Sequence, residues 1–365
     1  MRLVSHIDLL TPLLSDPPHL AVLRDAQAWS TIKEHAARYG VAALVAYAVR
    51  PHVSGADRAW CDQVLVESWM RHDRMLRHLD YLLGVFAAED IPVLCLKGPL
   101  LARRYHNPPF LRKASMDLDL AVMTKDLPRA CDALAAVGYT LTTPIREALR
   151  EYHHVELDHP SRPHLELHFR LSHRALGIPV EEMFDRAVAS SIPGGREARV
   201  LGPADQLLHL ILHLATSRFG TLFHLHEIRR VCRAEPAEVV VEAIRRAVRH
   251  HYGGVIRMMD AAFRSRWNES FIPAGAIVPK TWLNWRVTPK LYRAFEEFSL
   301  PGRRMSVTDR VRARWMDFQL TDRPTDALRA AIFFLETARY SVTRAAHWRA
   351  REIRFTQGRA GTGAH

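Results

Sequence analysis

The sequence predicts an α+β protein in which a small mixed β-sheet is flanked by helical N-terminal and C-terminal regions. Two observations support this fold class. Apolar residues follow helical spacing before residue 90 and again after about residue 200, whereas short apolar runs alternate with short helical runs in between. We therefore predict a helical N-terminal subdomain at 1–89, a mixed core at 90–200, a helical C-terminal domain at 201–356 and a flexible tail at 357–365.

The N-terminal region is predicted to be helical at 25–39, 41–49 and 57–88, because its large apolar residues lie near helical spacing. Pro51 and Gly55 interrupt this pattern between the second and third helices. The aromatic residues of the long third helix are expected to belong to a core.

The middle of the chain is predicted to form the sheet. The predicted strands are 91–96, 116–123, 139–142, 155–158 and 164–168, and the predicted helices are 99–105 and 127–137. Residues 159–163 are rich in turn-forming residues, so we expect the last two strands to form a hairpin that closes the sheet.

The C-terminal region shows helical spacing once more. The predicted helices are 204–216, 223–232, 236–250, 255–267, 279–298 and 327–344. The Gly-rich residues 357–365 are expected to be frayed.

The composition predicts a globular cytoplasmic protein. The chain has 365 residues, of which 48% are hydrophobic, and its four cysteines lie far apart, without the spacing of a zinc site or a disulfide framework. Residues 1–14 make a poor signal peptide, because Asp8 and Pro12 interrupt the apolar stretch. The longest apolar run elsewhere, 207–215, is shorter than the roughly 20 residues that span a bilayer, so we expect no membrane segment.

The formal net charge of +12 permits two interpretations. A basic surface attracts polyanions such as nucleotides or RNA. However, the basic residues are mostly arginines spread along the chain, without aromatic interleaving or a recognisable binding module. The charge is compatible with triphosphate binding but does not establish it.

Asp117 and Asp119 form the most informative pair in the sequence. They are two residues apart in an apolar run, and residues at this spacing in a strand point to the same face. Two carboxylates on a buried strand need a compensating cation, because an unpaired buried anion costs several kcal/mol. Magnesium is the cation that suits such oxygen ligands.

A third carboxylate and a phosphate-binding turn have candidates nearby. Glu166 lies in the middle of its predicted strand and is the preferred third carboxylate, with Glu156 and Asp158 as alternatives. His168 shares a strand face with Glu166 and is expected to border the same site. Lys97 and Gly98 lie between a strand and a helix, where glycine allows the backbone to approach a phosphate and lysine adds a positive charge.

Three motifs together resemble a known family. They are Leu96-Lys97-Gly98, Arg112-x-x-Ser115-x-Asp117-x-Asp119-Leu120 and His164-Leu165-Glu166-Leu167-His168-Phe169-Arg170-Leu171. They are similar to motifs of the uncharacterised nucleotidyltransferase family in the DNA polymerase β-like superfamily, and of the related toxin-type nucleotidyltransferases. The resemblance is clear over 91–171 and fainter over the helices that follow.

The resemblance implies transfer of a nucleoside monophosphate from a nucleoside triphosphate, such as ATP, to a hydroxyl-bearing acceptor, with release of pyrophosphate. Asp117, Asp119 and Glu166 would then be the catalytic and metal-binding residues for two Mg²⁺ ions, for which Mn²⁺ could substitute. Lys97 and Ser115 would contact the phosphates at Gly98.

The resemblance also implies roles for Arg112 and His168. Arg112 would either contact a phosphate or form an ion pair that braces the carboxylate strand. His168 would border the bound nucleotide. The acceptor could be a small molecule, a modified peptide from a biosynthetic pathway, a protein or an RNA such as tRNA.

The sequence departs from the toxin-type pattern at Pro99, where a second glycine is typical, and proline provides no backbone N–H. This departure favours an alternative function, a catalytically silent nucleotide- or RNA-binding protein of the same fold. The intact Asp117, Asp119 and Glu166 oppose it.

Several other polar residues are expected to have structural or surface positions. We expect His209 and His213 to be core or site-lining residues, and Glu227 to lie on a solvated helix face or to orient an acceptor. Loop or surface positions are expected for the remaining candidates: His106, His153, His154, His224, His226, Arg229 and Arg230.

Overall fold

The computed structural model describes residues 6–15, 17–113, 115, 117–171, 178, 180–216, 222–281, 287–298, 320, 322–323 and 325. These residues form an α+β fold, with a mixed seven-stranded sheet flanked by helices on the N-terminal and C-terminal sides. The predicted fold class is therefore confirmed.

The N-terminal helices are α1 (His6–Leu10), α2 (Ala26–Arg38), α3 (Ala42–Val49) and α4 (Gly55–Ala88). Helix α2 begins where the side chain of Asp25 accepts hydrogen bonds from the backbone N–H groups of Gln27 and Ala28, which would otherwise lack partners. The three helices predicted here are confirmed as α2, α3 and α4. Their apolar residues follow helical spacing because they are buried in two cores.

The sheet has the strand order β3-β4-β5-β2-β1-β7-β6. Its strands are β1 (Leu94–Cys95), β2 (Asp117–Ala121), β3 (Thr140–Leu141), β4 (His154–Asp158), β5 (His164–His168), β6 (Val188–Ser191) and β7 (Glu197–Val200). Strand β5 pairs in parallel with β2 and antiparallel with β4, so the predicted hairpin of β4 and β5 is confirmed.

The described residues of the middle region also form the helices α5 (Pro99–Tyr105), α6 (Leu127–Ala136), α7 (Ile145–Glu151) and α8 (Glu181–Phe184). Helices α5 and α6 match the prediction, whereas α7, α8 and the hairpin of β6 and β7 were not predicted. Strand β6 has little apolar patterning because it is the exposed edge of the sheet. Helix α7 has only seven residues, too few for a clear periodic signal.

The two faces of the central strands differ in character. One face of β2, β4 and β5 is buried in an apolar core with helices α4 and α6. That face carries Leu118, Leu120, Val155, Leu157, Leu165 and Leu167. Because side chains alternate along a strand, the polar residues of these strands share the opposite face.

The C-terminal helices are α9 (Pro203–Thr216), α10 (Leu222–Ala234), α11 (Ala237–Arg249), α12 (Gly253–Trp267) and α13 (Pro289–Phe298). They pack in a core that also includes Leu94, Leu96 and Ala121 from the central strands. Helix α13 starts ten residues later than predicted, and 279–281 is not helical. The predicted helix 327–344 and the tail 357–365 lie outside the described residues.

None of the helices formed by the described residues is both long enough and apolar enough to cross a membrane. The division of the chain into four segments stays a prediction. Helix α4 shares one core with the sheet, and the core of the N-terminal helices includes Leu222 and Phe223 of α10. These shared cores connect the predicted segments closely.

Gly202, between β7 and α9, offers a test of this packing. A Cβ atom at Gly202 would lie 2.7 Å from the backbone oxygen of Arg186, so Gly202→Ala forces the backbone to shift. We expect a loss of about 1–3 kcal/mol in the free energy of unfolding, measured by urea denaturation.

Gly84→Ala is the matched control for this substitution. A Cβ atom at Gly84 would meet only the movable guanidinium of Arg196, at 3.3 Å, and alanine is the better helix former. We expect unchanged or slightly increased stability. Equal losses in the two variants would contradict the close approach at Gly202.

Candidate active site

The register of the central strands places carboxylates side by side on the polar face of the sheet. Asp119 of β2 is the register partner of Glu166 in β5, and Glu166 is in turn the partner of Glu156 in β4. Asp117 is paired with His164, one step along the same face. The sheet therefore brings Asp119 and Glu166 together, as the sequence predicted.

Asp119 is buried, with 3% of its surface exposed, and two cationic groups surround it. Lys97 Nζ lies 2.9 Å from Asp119 Oδ1, and His168 Nε2 lies 3.3 Å from the same oxygen. Burial by itself raises the pKa of Asp119, but Lys97 and His168 outweigh this effect and hold the pKa well below its usual value. The carboxylate is therefore ionised inside the protein.

His168 bridges the two carboxylates. Its Nε2 atom lies 3.3 Å from Asp119 Oδ1 and 3.3 Å from Glu166 Oε2. Burial lowers the pKa of His168, yet its contacts with Asp119 and Glu166 raise the pKa overall. Burial likewise raises the pKa of Glu166, which His168 and His154 nevertheless bring below its usual value.

Lys97 lies at the end of β1, where the chain turns into α5. Gly98 has a φ of 77°, which only glycine adopts easily, whereas a Cβ atom there would have ordinary contact with Leu118 at 3.8 Å. Gly98 is thus required for the backbone conformation of the turn that orients Lys97. Pro99 occupies the first position of α5. A backbone N–H at this position has no partner within a helix, so the helix loses no hydrogen bond by having proline there.

Ser115 and Asp117 lie at the start of β2. The hydroxyl of Ser115 donates a hydrogen bond to Asp117 Oδ1, so Ser115 orients this carboxylate. Both residues are half-buried and close to the carboxylate site. The sequence did not predict the hydrogen bond between them.

Arg112 forms a buried ion pair with Glu227 of α10. Its Nε atom donates to Glu227 Oε1, and its Nη2 atom lies 3.2 Å from Glu227 Oε2. Glu227 is fully buried, so its expected position on a solvated face is wrong. Of the two roles predicted for Arg112, the ion pair is the one that this geometry favours.

Asp119, Glu166 and His168 each offer a ligand atom, and these atoms lie within 4.8 Å of one another. Carboxylate oxygens suit Mg²⁺. Within the described part of the chain, the buried atoms Asp119 Oδ1 and His168 Nε2 meet their ion-pair partners without a well-aligned hydrogen bond. The donor set therefore fits a divalent cation, and His153, His154 and His168 form a second such group.

Helices α9 and α10 place three further histidines near Lys97. His213 Nδ1 lies 3.4 Å from Lys97 Nζ, and the His213 ring is 4.7 Å from that of His224. Burial and the charge of Lys97 lower the pKa of His209 and His213 well below the usual value and lower that of His224 to about 3. These neutral rings line the lysine side of the site.

Three surface or loop predictions are wrong in this region, those for His224, His226 and Arg229. His226 is buried, with 5% of its surface exposed, and both His226 and His224 belong to helix α10 rather than a loop. His106 does lie in a loop, as predicted, although only 4% of its surface is exposed. Arg229, expected at the surface, is also buried and pairs with Glu269. A polar residue on a helix carries no mark in the sequence that reveals a partner from a distant segment.

The mixed sheet with its facing carboxylates and adjoining lysine turn is consistent with the class of nucleotidyltransferases. The profile of the family described as uncharacterised nucleotidyltransferase matches residues 25–252, more than half of the chain. The chain therefore belongs to this family, and the predicted relationship is confirmed. Family membership supports a general role in nucleotidyl transfer.

The matched region extends well beyond the motifs. It begins at the start of α2 and ends after α11, so the family includes the helices on both sides of the sheet. No curated protein matches the chain.

The buried neutral histidines predict a loss of stability in mild acid. Burial lowers the pKa of His78 to about 4, that of His106 to about 2 and that of His226 to about 3. Between pH 6.5 and 5 the unfolded chain binds protons at these positions and the folded chain does not. We expect the free energy of unfolding to fall by up to about 1.4 kcal/mol per pH unit for each histidine, measured by urea denaturation.

The contribution of one histidine can be isolated with His226→Gln, which removes a titrating group. The free energy of unfolding should then fall less steeply with acid, by the equivalent of about one bound proton. The matched control is His52→Gln, because His52 is exposed to solvent. It should keep the wild-type slope. A wild-type slope in His226→Gln would contradict the assignment.

The ion pair of Arg112 and Glu227 predicts strong energetic coupling. Glu227→Gln leaves the buried guanidinium without a counter-charge and should cost about 3–5 kcal/mol of stability, whereas Arg112→Met/Glu227→Leu should cost much less than the sum of its single substitutions. A double-mutant cycle by urea denaturation measures this coupling. Additive losses would contradict a structural role for the pair.

Proposed function

We propose that this protein transfers a nucleoside monophosphate from a nucleoside triphosphate to the hydroxyl group of an acceptor and releases pyrophosphate. The observation that carries the proposal is the register of Asp119 against Glu166, with Lys97 beside them. Two ionised carboxylates and a lysine on one face of a sheet suit a metal-bound polyphosphate. Membership of the nucleotidyltransferase family supports the same reaction class.

Asp119 and Glu166 would hold Mg²⁺, or Mn²⁺ in its place, and Asp117 would complete a site for two ions. When bound, the metal supplies positive charge that stabilises the phosphates and lowers the pKa of the acceptor hydroxyl. Ser115 keeps the Asp117 carboxylate oriented through its hydrogen bond. His168 keeps Asp119 and Glu166 close together by bridging them.

Lys97 is proposed to exchange partners when substrate binds. Its ammonium lies 2.9 Å from Asp119 Oδ1, so it neutralises the buried carboxylate. With Asp119 compensated by a cation held there, Lys97 would be able to contact a phosphate oxygen at the Gly98 turn. The neighbouring rings of His209, His213 and His224 are neutral. They therefore do not repel the Lys97 ammonium as it changes partner.

In the proposed reaction the acceptor oxygen forms a bond to the α-phosphorus, and the bond from that phosphorus to the bridging oxygen of the β-phosphate breaks. The electron pair leaves with pyrophosphate, and the proton of the acceptor hydroxyl passes to Glu166. The acceptor is a small molecule, a modified peptide, a protein or an RNA, and a cytoplasmic setting would suit each of them.

A catalytically silent nucleotide-binding protein is the second candidate function. Pro99 is the observation that favours it, because proline offers no N–H to a phosphate at the start of α5. Proline also suits this first helical position by its fixed backbone angle. The carboxylate register is the stronger observation, so we prefer the transferase.

Asp119→Asn and Glu166→Gln are expected to lower Mg²⁺-dependent pyrophosphate release by at least about a hundredfold, since each removes a charged metal ligand. The assay follows pyrophosphate release with each of the four nucleoside triphosphates and a panel of hydroxyl-bearing acceptors. Transfer is confirmed by the added mass of the nucleotide on the acceptor.

Asp158→Asn is the matched control. Asp158 is on the same hairpin, and its register partner is Thr140 in the edge strand β3. This variant should keep its activity. Stabilisation of the wild-type protein by nucleotide and Mg²⁺, without turnover across the acceptor panel, would favour the silent binder instead.

A further inference from the structure

A cavity lies where the N-terminal helices meet helix α10. It has a volume of about 580 Å³, within the range of roughly 300–1,000 Å³ that is usual for small-molecule sites. None of the carboxylates of the candidate active site lines it. The proposed function leaves this cleft without a role.

One wall of the cleft is a single face of α10. His226, Arg229, Arg230 and Arg233 all line the cavity, and their spacing of three and four residues places them on the same side of the helix. His224 and Glu227 belong to the neighbouring side of α10, where they contact His213 and Arg112. Helix α10 therefore separates the cleft from the active site.

The α10 wall is positively charged. Arg229 and Arg233 share one carboxylate, that of Glu269, with contacts to its Oε1 that are 2.5 Å and 3.0 Å long. Arg230, on the same face of the helix, donates from its Nε atom to the backbone oxygen of Tyr105. Two guanidinium groups with one counter-charge leave a positive excess at this wall.

His226 is a buried polar group of the cleft that has no hydrogen-bond partner among the described residues. Only 5% of its surface is exposed, and within the described residues neither ring nitrogen has a hydrogen-bond partner. Leaving a buried polar group unpaired costs about 1–3 kcal/mol, so such groups in native proteins usually indicate a ligand or a bound water. His226 lines the cavity, so a ligand bound there would lie beside this unpartnered ring.

The opposite wall is apolar. It is formed by Leu44 and Ala48 of α3 and by Leu13 and Leu14, which lie in a short 3-10 helix after α1. Tyr47 lies at this wall with 49% of its surface exposed, although a large aromatic side chain is usually more buried. An apolar wall facing cationic groups suits a ligand that has an apolar body and an anionic end.

We propose that this cleft binds a small organic anion, a phosphate or carboxylate attached to an apolar ring or chain, at a site separate from the carboxylates of the sheet. The anionic group contacts the guanidinium groups and His226 on α10, and the apolar body packs against Tyr47 and Leu44. The proposal is independent of the proposed transferase activity, because it depends only on residues of the cleft.

Isothermal titration calorimetry of the full chain tests the proposal with three probes. 1-Naphthyl phosphate has both the anion and the apolar body, 1-naphthol lacks the anion, and inorganic phosphate lacks the apolar body. We expect 1-naphthyl phosphate to bind at least about tenfold more tightly than either fragment. Equal binding of 1-naphthol would overturn the anionic part of the proposal.

Variants locate the bound probe. Arg233→Gln should weaken 1-naphthyl phosphate about tenfold by removing a charged donor, and Tyr47→Ala should weaken it while leaving inorganic phosphate unchanged. Both residues are exposed, so the fold should tolerate these changes. Arg249→Gln, on the exposed side of α11, is the matched control with the same change of charge.

The Asp119→Asn variant distinguishes binding in the cleft from binding at the active site. It should bind 1-naphthyl phosphate with the affinity of the wild type. Binding that depends on Asp119 but not on Arg233 and Tyr47 would overturn the proposal. Equal weakening of probe binding by Arg249→Gln and Arg233→Gln would also overturn it, because the effect would then reflect overall charge rather than the cleft.

Discussion

The buried carboxylate of Asp119 is the constraint on which the active site depends. An anion with 3% exposure is stable only because Lys97 and His168 compensate it, and both come from other segments of the chain. Lys97 reaches Asp119 because β1 pairs with β2, and His168 reaches it because β5 pairs with β2 on the other side. The strand order thus brings both compensating cations to Asp119, and the same order brings Glu166 next to it.

Helix α10 connects the parts of the molecule. Its buried Glu227 anchors Arg112, three residues before Ser115, and therefore supports the segment that leads into the carboxylate strand. Its neighbouring side carries the arginines of the cleft. A ligand in the cleft and a substrate at the sheet would both contact residues linked to this helix, so α10 is the element through which the two sites could influence each other.

The sequence predicted the parts of the fold that produce strong local patterns. The helices of the N-terminal region, the hairpin of β4 and β5 and the Asp-x-Asp strand all have periodic apolar residues, because each has one face in a core. The edge strand β6 and the seven-residue helix α7 were missed, because an exposed edge and a short helix need little apolar patterning. The buried His106, His226, Glu227 and Arg229 were expected at the surface or in loops, since each is buried by segments far away in the sequence.

The sequence by itself determined the chemistry available to this protein: two aspartates on one strand face, a glutamate on another strand and a lysine–glycine turn. These follow from spacing, because alternation along a strand is a local property of the backbone. Only the tertiary structure decided which groups meet. Strand register aligned Glu166 with Asp119, and long-range packing gave Arg112 its partner Glu227. Register and packing depend on pairing between distant segments, which no local pattern of residues specifies.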